Sequence, residues 1–208
     1  MKDKRQATIN KRQEVRSQKT KLFSCFLLLA SFLLPLASCS NAEFEYSTIP
    51  CYFVFNNALR NNATLATAMN PMSPGIFVAV SREGVNPTYY VFRNNHGQCD
   101  STIVNAIDDH TTIILGMQNG LILGYGNLDN PAPFFAYDRE CPNCSHPDDL
   151  PLRSHPLTMK TDGTATCATC HRRYNMNTGG NIIEGEHGQQ LIRYRCNQPQ
   201  PYGVVTVN

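Results

Sequence analysis

Two Cys-x-x-Cys motifs lie close together in this sequence: Cys141-Pro142-Asn143-Cys144 and, after 22 intervening residues, Cys167-Ala168-Thr169-Cys170. Each motif brings two thiolates to one side of a tight turn, and two such turns supply the four ligands of a tetrahedral metal site. A single motif is a weak signal, whereas two in one short segment indicate a shared ligand. We therefore predict that Cys141, Cys144, Cys167 and Cys170 bind one metal centre.

Several chemistries remain open for these four thiols. Structural zinc is favoured, because four thiolates in two tight turns are typical of one tetrahedral ion. The separation of the motifs slightly exceeds the roughly 15–20 residues of a zinc ribbon. Iron is the alternative, as a single ion or a 2Fe–2S cluster, and disulfides or empty thiols form a further case. A thiol–disulfide oxidoreductase fits least, because neither motif lies between a predicted strand and a long amphipathic helix.

The segment 138–180 that carries both motifs is poor in aliphatic residues and rich in Cys, His, Pro, Asp and Thr. Such a segment seldom packs by hydrophobic burial alone, so we expect the metal centre to hold it as an irregular insertion. On both sides of it, short apolar runs alternate with turn signals, which predicts antiparallel β structure. Asn119-Gly120 predicts a hairpin, and 57–68 a short helix or a loop. The predicted strands are 51–55, 76–80, 88–93, 111–116, 121–125, 134–137, 182–183, 191–195 and 204–207.

The residues around the motifs resemble the Rieske family over roughly residues 110–196. An Ala-aromatic-Asp strand, Ala136-Tyr137-Asp138, precedes the first motif, and the second is followed by an aromatic residue, a glycine and Leu-x-x-Tyr. The positions that match this flanking pattern are Tyr174, Gly179, Leu191 and Tyr194. Cys141 and Cys167 fall on the two cysteine-ligand positions of the family, whereas Asn143 and Cys170 stand where its histidine ligands would be.

This resemblance implies an all-β fold, a Rieske-like antiparallel β-sandwich. The cysteine segment at about 138–180 would form a rubredoxin-like or zinc-ribbon-like metal-binding subdomain near the C-terminal end. It also implies the alternative function, electron transfer through iron or 2Fe–2S. Histidine ligation raises the potential of a Rieske cluster, and neither histidine is present here, so we favour a non-catalytic binding or assembly module with structural zinc.

The N-terminus has the pattern of an export signal. A basic stretch to Lys21 is followed by the apolar run 22–36, which is shorter than the ~20 residues that span a bilayer. Leu36-Ala37-Ser38-Cys39 then resembles a bacterial lipobox. We expect residues 1–38 to be a lipoprotein signal peptide, Cys39 to carry lipid, 39–50 to be a tether and 51–208 to be the domain. The expected location is the cell envelope, extracytoplasmic and held on the membrane through the N-terminal lipid.

The formal charge of +2 is unevenly distributed over the 208 residues. Residues 1–38 hold eight Lys/Arg against two Asp/Glu, and the remainder holds ten against fourteen, a net charge of −4. This excludes a nucleic-acid binder that works by bulk charge. The sequence does not identify a protein partner.

Other residues carry weaker signals. Cys51 and Cys196 are predicted at the ends of strands that can be neighbours, so they are candidates for a disulfide, with free thiols as the equal alternative. Cys99 is unassigned. Asp108-Asp109-His110 is interpreted as a charged turn rather than an acid–base pair. No catalytic residue is predicted.

Overall fold

The computed structural model describes residues 45–106, 108, 112–118 and 120–208. The predicted signal peptide, the predicted lipidation of Cys39 and the first part of the tether lie outside the described residues. In the described chain, no helix is long and apolar enough to cross a membrane.

The described elements are mostly short strands, with two short helices near the start and one turn of 3-10 helix. In chain order they are β1 (Phe53–Asn56), α1 (Asn57–Arg60), α2 (Ala63–Ala68), β2 (Phe77–Glu83), β3 (Tyr89–Asn94), β4 (Cys99–Ile103), β5 (Gly120–Tyr125), β6 (Phe134–Asp138), β7 (Leu157–Met159), β8 (Thr164–Cys167), β9 (Arg173–Asn175), the 3-10 turn Met176–Thr178, β10 (Asn181–Glu184), β11 (Arg193–Tyr194) and β12 (Val204–Val207). The strand pairings are antiparallel, so the prediction of a mostly antiparallel β fold is confirmed.

A six-stranded sheet in the order β11-β6-β5-β2-β3-β4 forms the centre of the fold. Every residue of β5 is buried. Successive side chains of a strand point to opposite faces, so a strand buried along its whole length has packed material on both sides. Leu121 and Leu123 accordingly belong to one apolar cluster, and Ile122 between them belongs to the other.

The first cluster packs β1, β12 and α2 against one face of this sheet. Phe53 and Phe55 of β1 lie beside Val205 and Val207 of β12, with which they pair, and Tyr90 is in edge contact with both phenylalanines. Asn62 caps α2 by accepting the Leu65 N–H at 2.8 Å.

The second cluster joins the central sheet to a four-stranded sheet in the order β10-β9-β8-β7. Phe135 and Tyr137 of β6 lie in the same cluster as Tyr174 and Met176. The Tyr137 hydroxyl also donates to the Met176 carbonyl at 2.9 Å. The first cysteine motif follows β6 of the central sheet, and the second lies between β8 and β9 of the smaller sheet, so the packing of the two sheets places the candidate site.

Several predicted elements differ from the structure. The segment 138–180 is not irregular, because it contains β7, β8 and β9 and contributes Leu157, Ala165 and Met176 to an apolar core. These few buried apolar residues share their cluster with Phe135 and Tyr137 of β6.

The predicted hairpin at Asn119-Gly120 is also wrong. Strand β5 pairs with β2 and β6. Among the described residues of the predicted strand 111–116, only Ile114 forms a β-bridge, and its partner is Tyr52. The Gly120 N–H instead donates to the Leu115 carbonyl at 2.8 Å and closes a turn. Residues 95–97 form a turn that leads into β4, which starts at Cys99.

Candidate metal centre

The first cysteine motif is a turn that leaves the end of β6. The Cys144 and Ser145 N–H groups both donate to the Cys141 carbonyl, at 3.1 and 2.9 Å, which curls the chain tightly after Cys141. The Cys141 N–H donates to the His155 carbonyl at 3.0 Å, so the outgoing and returning chains are joined at the base of the motif.

The second motif is the turn between β8 and β9. Cys167 is the last residue of β8, and its carbonyl accepts the His171 N–H at 3.0 Å. The Cys167 N–H donates to the Arg172 carbonyl at 3.1 Å, and His171 adopts the left-handed conformation, with φ +57°, that closes the turn. Both motifs are thus rigid turns built on strand ends.

The two turns bring four sulfur atoms together. The Sγ atoms of Cys141, Cys144, Cys167 and Cys170 all lie within 4.8 Å of one another. The Cys141 and Cys170 Sγ atoms are 3.7 Å apart, and those of Cys144 and Cys167 are 3.8 Å apart. Ligands held tetrahedrally at about 2.3 Å from one ion lie about 3.8 Å from each other. Four cysteines this close together can hold a metal ion.

Backbone N–H groups point at three of these sulfurs. The Thr169 N–H donates to Cys167 Sγ at 3.4 Å. Two other backbone N–H groups also interact with the cysteine two residues earlier in the chain: that of Asn143 with Cys141, and that of Arg172 with Cys170. Each bond places positive partial charge beside a sulfur and so stabilises a thiolate there. This pattern favours thiolates at Cys141, Cys167 and Cys170.

The thiols of Cys141, Cys144 and Cys170 differ in their readiness to lose a proton. Burial acts to raise the pKa of Cys170, but hydrogen bonds from the backbone and guanidinium of Arg172 and from Cys144 and Cys141 lower that pKa to about 6. Burial raises the pKa of Cys141 to about 11 and also raises that of Cys144. The lowered pKa of Cys170 favours a thiolate there at neutral pH, and a metal ion would displace the protons of the ligands that are still protonated.

Tyr174 closes the buried side of the site. Its hydroxyl lies 3.3 Å from Cys141 Sγ and accepts the Asn143 side-chain amide at 2.9 Å. Burial raises the pKa of Tyr174, so the hydroxyl keeps its proton and donates to the sulfur. Tyr174 was singled out only as a flanking position, and the structure makes it a direct neighbour of a ligand.

The Asn143 side chain, between the two cysteines of the first motif, points to a neighbouring loop. Its amide donates to the Gln189 carbonyl at 2.7 Å and its oxygen accepts the Gln189 N–H at 2.9 Å. Arg172 holds the same loop, donating to the Glu186 and His187 carbonyls at 2.9 and 3.0 Å. Each cysteine turn is therefore fastened to residues 186–189 by its own side chain.

Glu140 is a buried residue that sequence reasoning did not select. Its carboxylate accepts hydrogen bonds from the Ser145 hydroxyl at 3.0 Å, the Ser154 hydroxyl at 2.7 Å and the His155 N–H. It thereby ties both ends of the loop 145–155 beside Cys141. The only sequence signal for Glu140 is its position directly before a cysteine motif. Its partners Ser154 and His155 are distant in the chain, so only the folded loop reveals them.

Asp138 is a second buried carboxylate, at the end of β6. It accepts the Met117 N–H at 2.8 Å, the Glu140 N–H at 2.8 Å and the Tyr194 hydroxyl at 2.7 Å. Burial raises its pKa even though all three bonds act to lower it. Asp138 and Tyr194 were predicted as parts of one flanking pattern, and the structure joins them directly.

The remaining predicted residues are not brought into this site. Cys51 and Cys196 are free thiols beside the first apolar cluster, and burial raises their pKa values to about 12 and about 11. Their disulfide stays a prediction. Cys99 is exposed on β4. Asp108 is paired with Arg60, as expected of a charged turn, while Asp109 and His110 lie outside the described residues.

The comparisons with known proteins add no relative. No family model, no curated protein and no solved structure matches the chain.

Proposed function

We propose that this protein is a lipid-anchored, extracytoplasmic module in which Cys141, Cys144, Cys167 and Cys170 bind one structural zinc ion. In this proposal the domain is Rieske-like, with a β-sandwich body and a rubredoxin-like or zinc-ribbon-like subdomain. Its role is binding or assembly rather than catalysis. The metal joins the two cysteine turns, so its binding free energy contributes to the folding of residues 138–180.

The separation of the sulfur atoms carries this proposal. A 2Fe–2S cluster divides four thiolates between two irons, so thiolates on different irons stand farther apart than thiolates that share one ion. Sulfurs that all lie within 4.8 Å, with two contacts of 3.7 and 3.8 Å, match one shared ion. All four donors are thiolates, which suits zinc and leaves no open coordination position for a substrate.

A single iron ion is the second candidate, with electron transfer as its function. Hydrogen bonds to ligand sulfurs tune the potential of an iron–thiolate centre, and Thr169 and Tyr174 both contact sulfur here. Cys144 and Cys170 are half-buried, which leaves one side of the site near solvent. The resemblance to Rieske proteins supports this alternative, although neither family histidine is present.

Elemental analysis with an absorption spectrum of the purified protein tests the proposal. We expect one zinc per chain and no visible absorption. A coloured protein that contains iron and is reversibly reduced would contradict the zinc proposal and support the electron-transfer alternative. Cys167→Ser is expected to lose the metal, whereas the matched control Cys99→Ser, in an exposed strand position away from the site, is expected to keep it.

The membrane anchor is a separate part of the proposal. The lipobox pattern at Leu36-Ala37-Ser38-Cys39 supports acylation of Cys39 and retention on the cell-envelope membrane. Incorporation of a labelled fatty acid that disappears in Cys39→Ala tests it, independently of the metal measurement.

A further inference from the structure

We infer that the cysteine site is also an oxidative modification site, in which loss of the metal allows two disulfides between the turns, Cys141–Cys170 and Cys144–Cys167. This inference rests on the proposed function in that the same four cysteines hold the metal first. The disulfide pairing itself follows from the positions of the sulfur atoms.

Two close sulfur–sulfur contacts run between the two motifs. Cys141 Sγ lies 3.7 Å from Cys170 Sγ, and Cys144 Sγ lies 3.8 Å from Cys167 Sγ. These contacts use every cysteine once, so both bonds can form in the same molecule. Formation of a disulfide would shorten each contact to about 2.0 Å, the length of an S–S bond.

The pairing determines what oxidation does to the fold. A disulfide inside one Cys-x-x-Cys motif would cross-link residues three positions apart and leave the two turns free to separate. Bonds between the motifs join residues separated by 29 and 23 positions. They therefore restrict the unfolded chain more strongly and keep the turns together after the metal has left. The oxidised segment 138–180 would stay closed.

The oxidant is a small-molecule disulfide such as oxidised glutathione. One cysteine thiolate attacks a glutathione sulfur, which forms a mixed disulfide and releases one glutathione thiolate. The partner cysteine thiolate then attacks the protein sulfur of the mixed disulfide and displaces the second glutathione. Each protein disulfide thus consumes two cysteine thiols and one oxidised glutathione, and yields two reduced glutathiones.

Variants that keep two of the four cysteines test the pairing without any four-thiolate metal site. In a Cys99→Ser background, Cys144→Ser/Cys167→Ser keeps the predicted pair Cys141 and Cys170. The matched control Cys144→Ser/Cys170→Ser keeps Cys141 and Cys167, and the control Cys167→Ser/Cys170→Ser keeps one motif intact. In glutathione buffer under native conditions, we expect the predicted pair to form its disulfide at least about tenfold faster than either control.

The same series in denaturant provides an internal reference. Short loops close with the smallest entropy loss, so the intact motif should oxidise fastest in the unfolded chain, and the native order should be reversed. Three results would each overturn the inference. The Cys141 and Cys167 pair could form its disulfide as fast as the Cys141 and Cys170 pair, the intact motif could oxidise fastest in native buffer, or no variant could form a disulfide. None of these outcomes depends on the metal content of the wild-type protein, which tests the proposed function separately.

The wild-type chain supplies a second measurement. After chelation and oxidation by glutathione, residues 138–180 are expected to keep their protease resistance, and reduction is expected to remove it. Loss of resistance on oxidation would indicate bonds within the motifs and would contradict the inferred pairing.

Discussion

At the scale of single residues, the site depends on buried carboxylates as well as on cysteines. Glu140 is 3% exposed and accepts three hydrogen bonds from the loop that follows the first motif. An ionised carboxylate suits this position because it only accepts, and all its partners donate.

Glu140→Gln is predicted to destabilise the domain by roughly 2–3 kcal/mol, because the side-chain NH2 would meet a donor and leave buried groups unpaired. Denaturant unfolding measures the loss of unfolding free energy. Limited proteolysis should show new cleavage of the variant within residues 145–155. Glu186→Gln is the matched control, since that side chain is 91% exposed. An equal effect of both changes would refute the role of Glu140.

Asp138 gives a pH prediction at the same scale. Burial raises its pKa in the folded state, so the folded protein holds this proton more tightly than the unfolded chain does. Its contribution to stability is complete below about pH 3.9, the ordinary aspartate pKa, and is lost as the pH rises through the folded pKa.

The unfolding free energy of the wild type, minus that of Asp138→Asn, is therefore expected to fall as the pH rises from about 4, the ordinary aspartate value. Urea unfolding at stepped pH measures this difference. The exposed Asp129→Asn serves as the comparison. A wild-type advantage that grows with pH would contradict the assignment.

At the scale of elements, Gly180 sets how closely the start of β10 approaches the segment before β11. It directly precedes β10 and contacts Leu191. This glycine has φ +90°, and a Cβ there would lie 2.5 Å from the Leu191 Cβ. The Leu191 N–H donates to the Gly180 carbonyl at 2.9 Å, so the two backbones cannot separate without losing that bond.

Gly180→Ala is predicted to cost roughly 2–4 kcal/mol, the sum of left-handed strain and steric overlap. Gly97→Ala is the matched control, because Gly97 has φ +88° but nothing within 4 Å of its Cβ position. It should show the conformational strain alone, roughly 1–2 kcal/mol. Equal losses in thermal unfolding of the two variants would show that the contact with Leu191 has no effect.

Sequence patterns predicted some of the strands and missed others. Alternation and aromatic residues predicted β2, β3, β5 and β6 close to their observed positions, because these strands carry the strongest apolar signal. The strands β7, β8 and β9 were missed. They are three or four residues long and each contains at most two apolar residues, so their pairing depends on the sheet that they face and not on local pattern.

At the scale of the whole molecule, the central sheet separates two apolar clusters, and the candidate site lies with the second. The first cluster includes β1, β12 and α2 and contains no residue of the cysteine motifs. Regions with separate packing can lose structure separately.

Cys167→Ser is therefore predicted to loosen residues 138–180 while the first cluster and its strands stay folded. Hydrogen exchange should increase at β7, β8 and β9 by at least about tenfold, and remain near wild type in β2 and β3. Cys99→Ser should change neither region. Unchanged exchange throughout residues 138–180 would contradict a structural role for the metal.

The sequence by itself determined the candidate ligands, since two thiols three residues apart converge through a tight turn whose geometry is local. It also determined the β class through the alternation of apolar residues. The tertiary structure decided which sulfurs are neighbours, which side chains hold the turns, and that 138–180 is a sheet. These features join residues far apart in the chain, as Cys141 with Cys170 or Asn143 with Gln189. Such contacts form only when segments far apart in the chain pack together, and no short stretch of sequence encodes that packing.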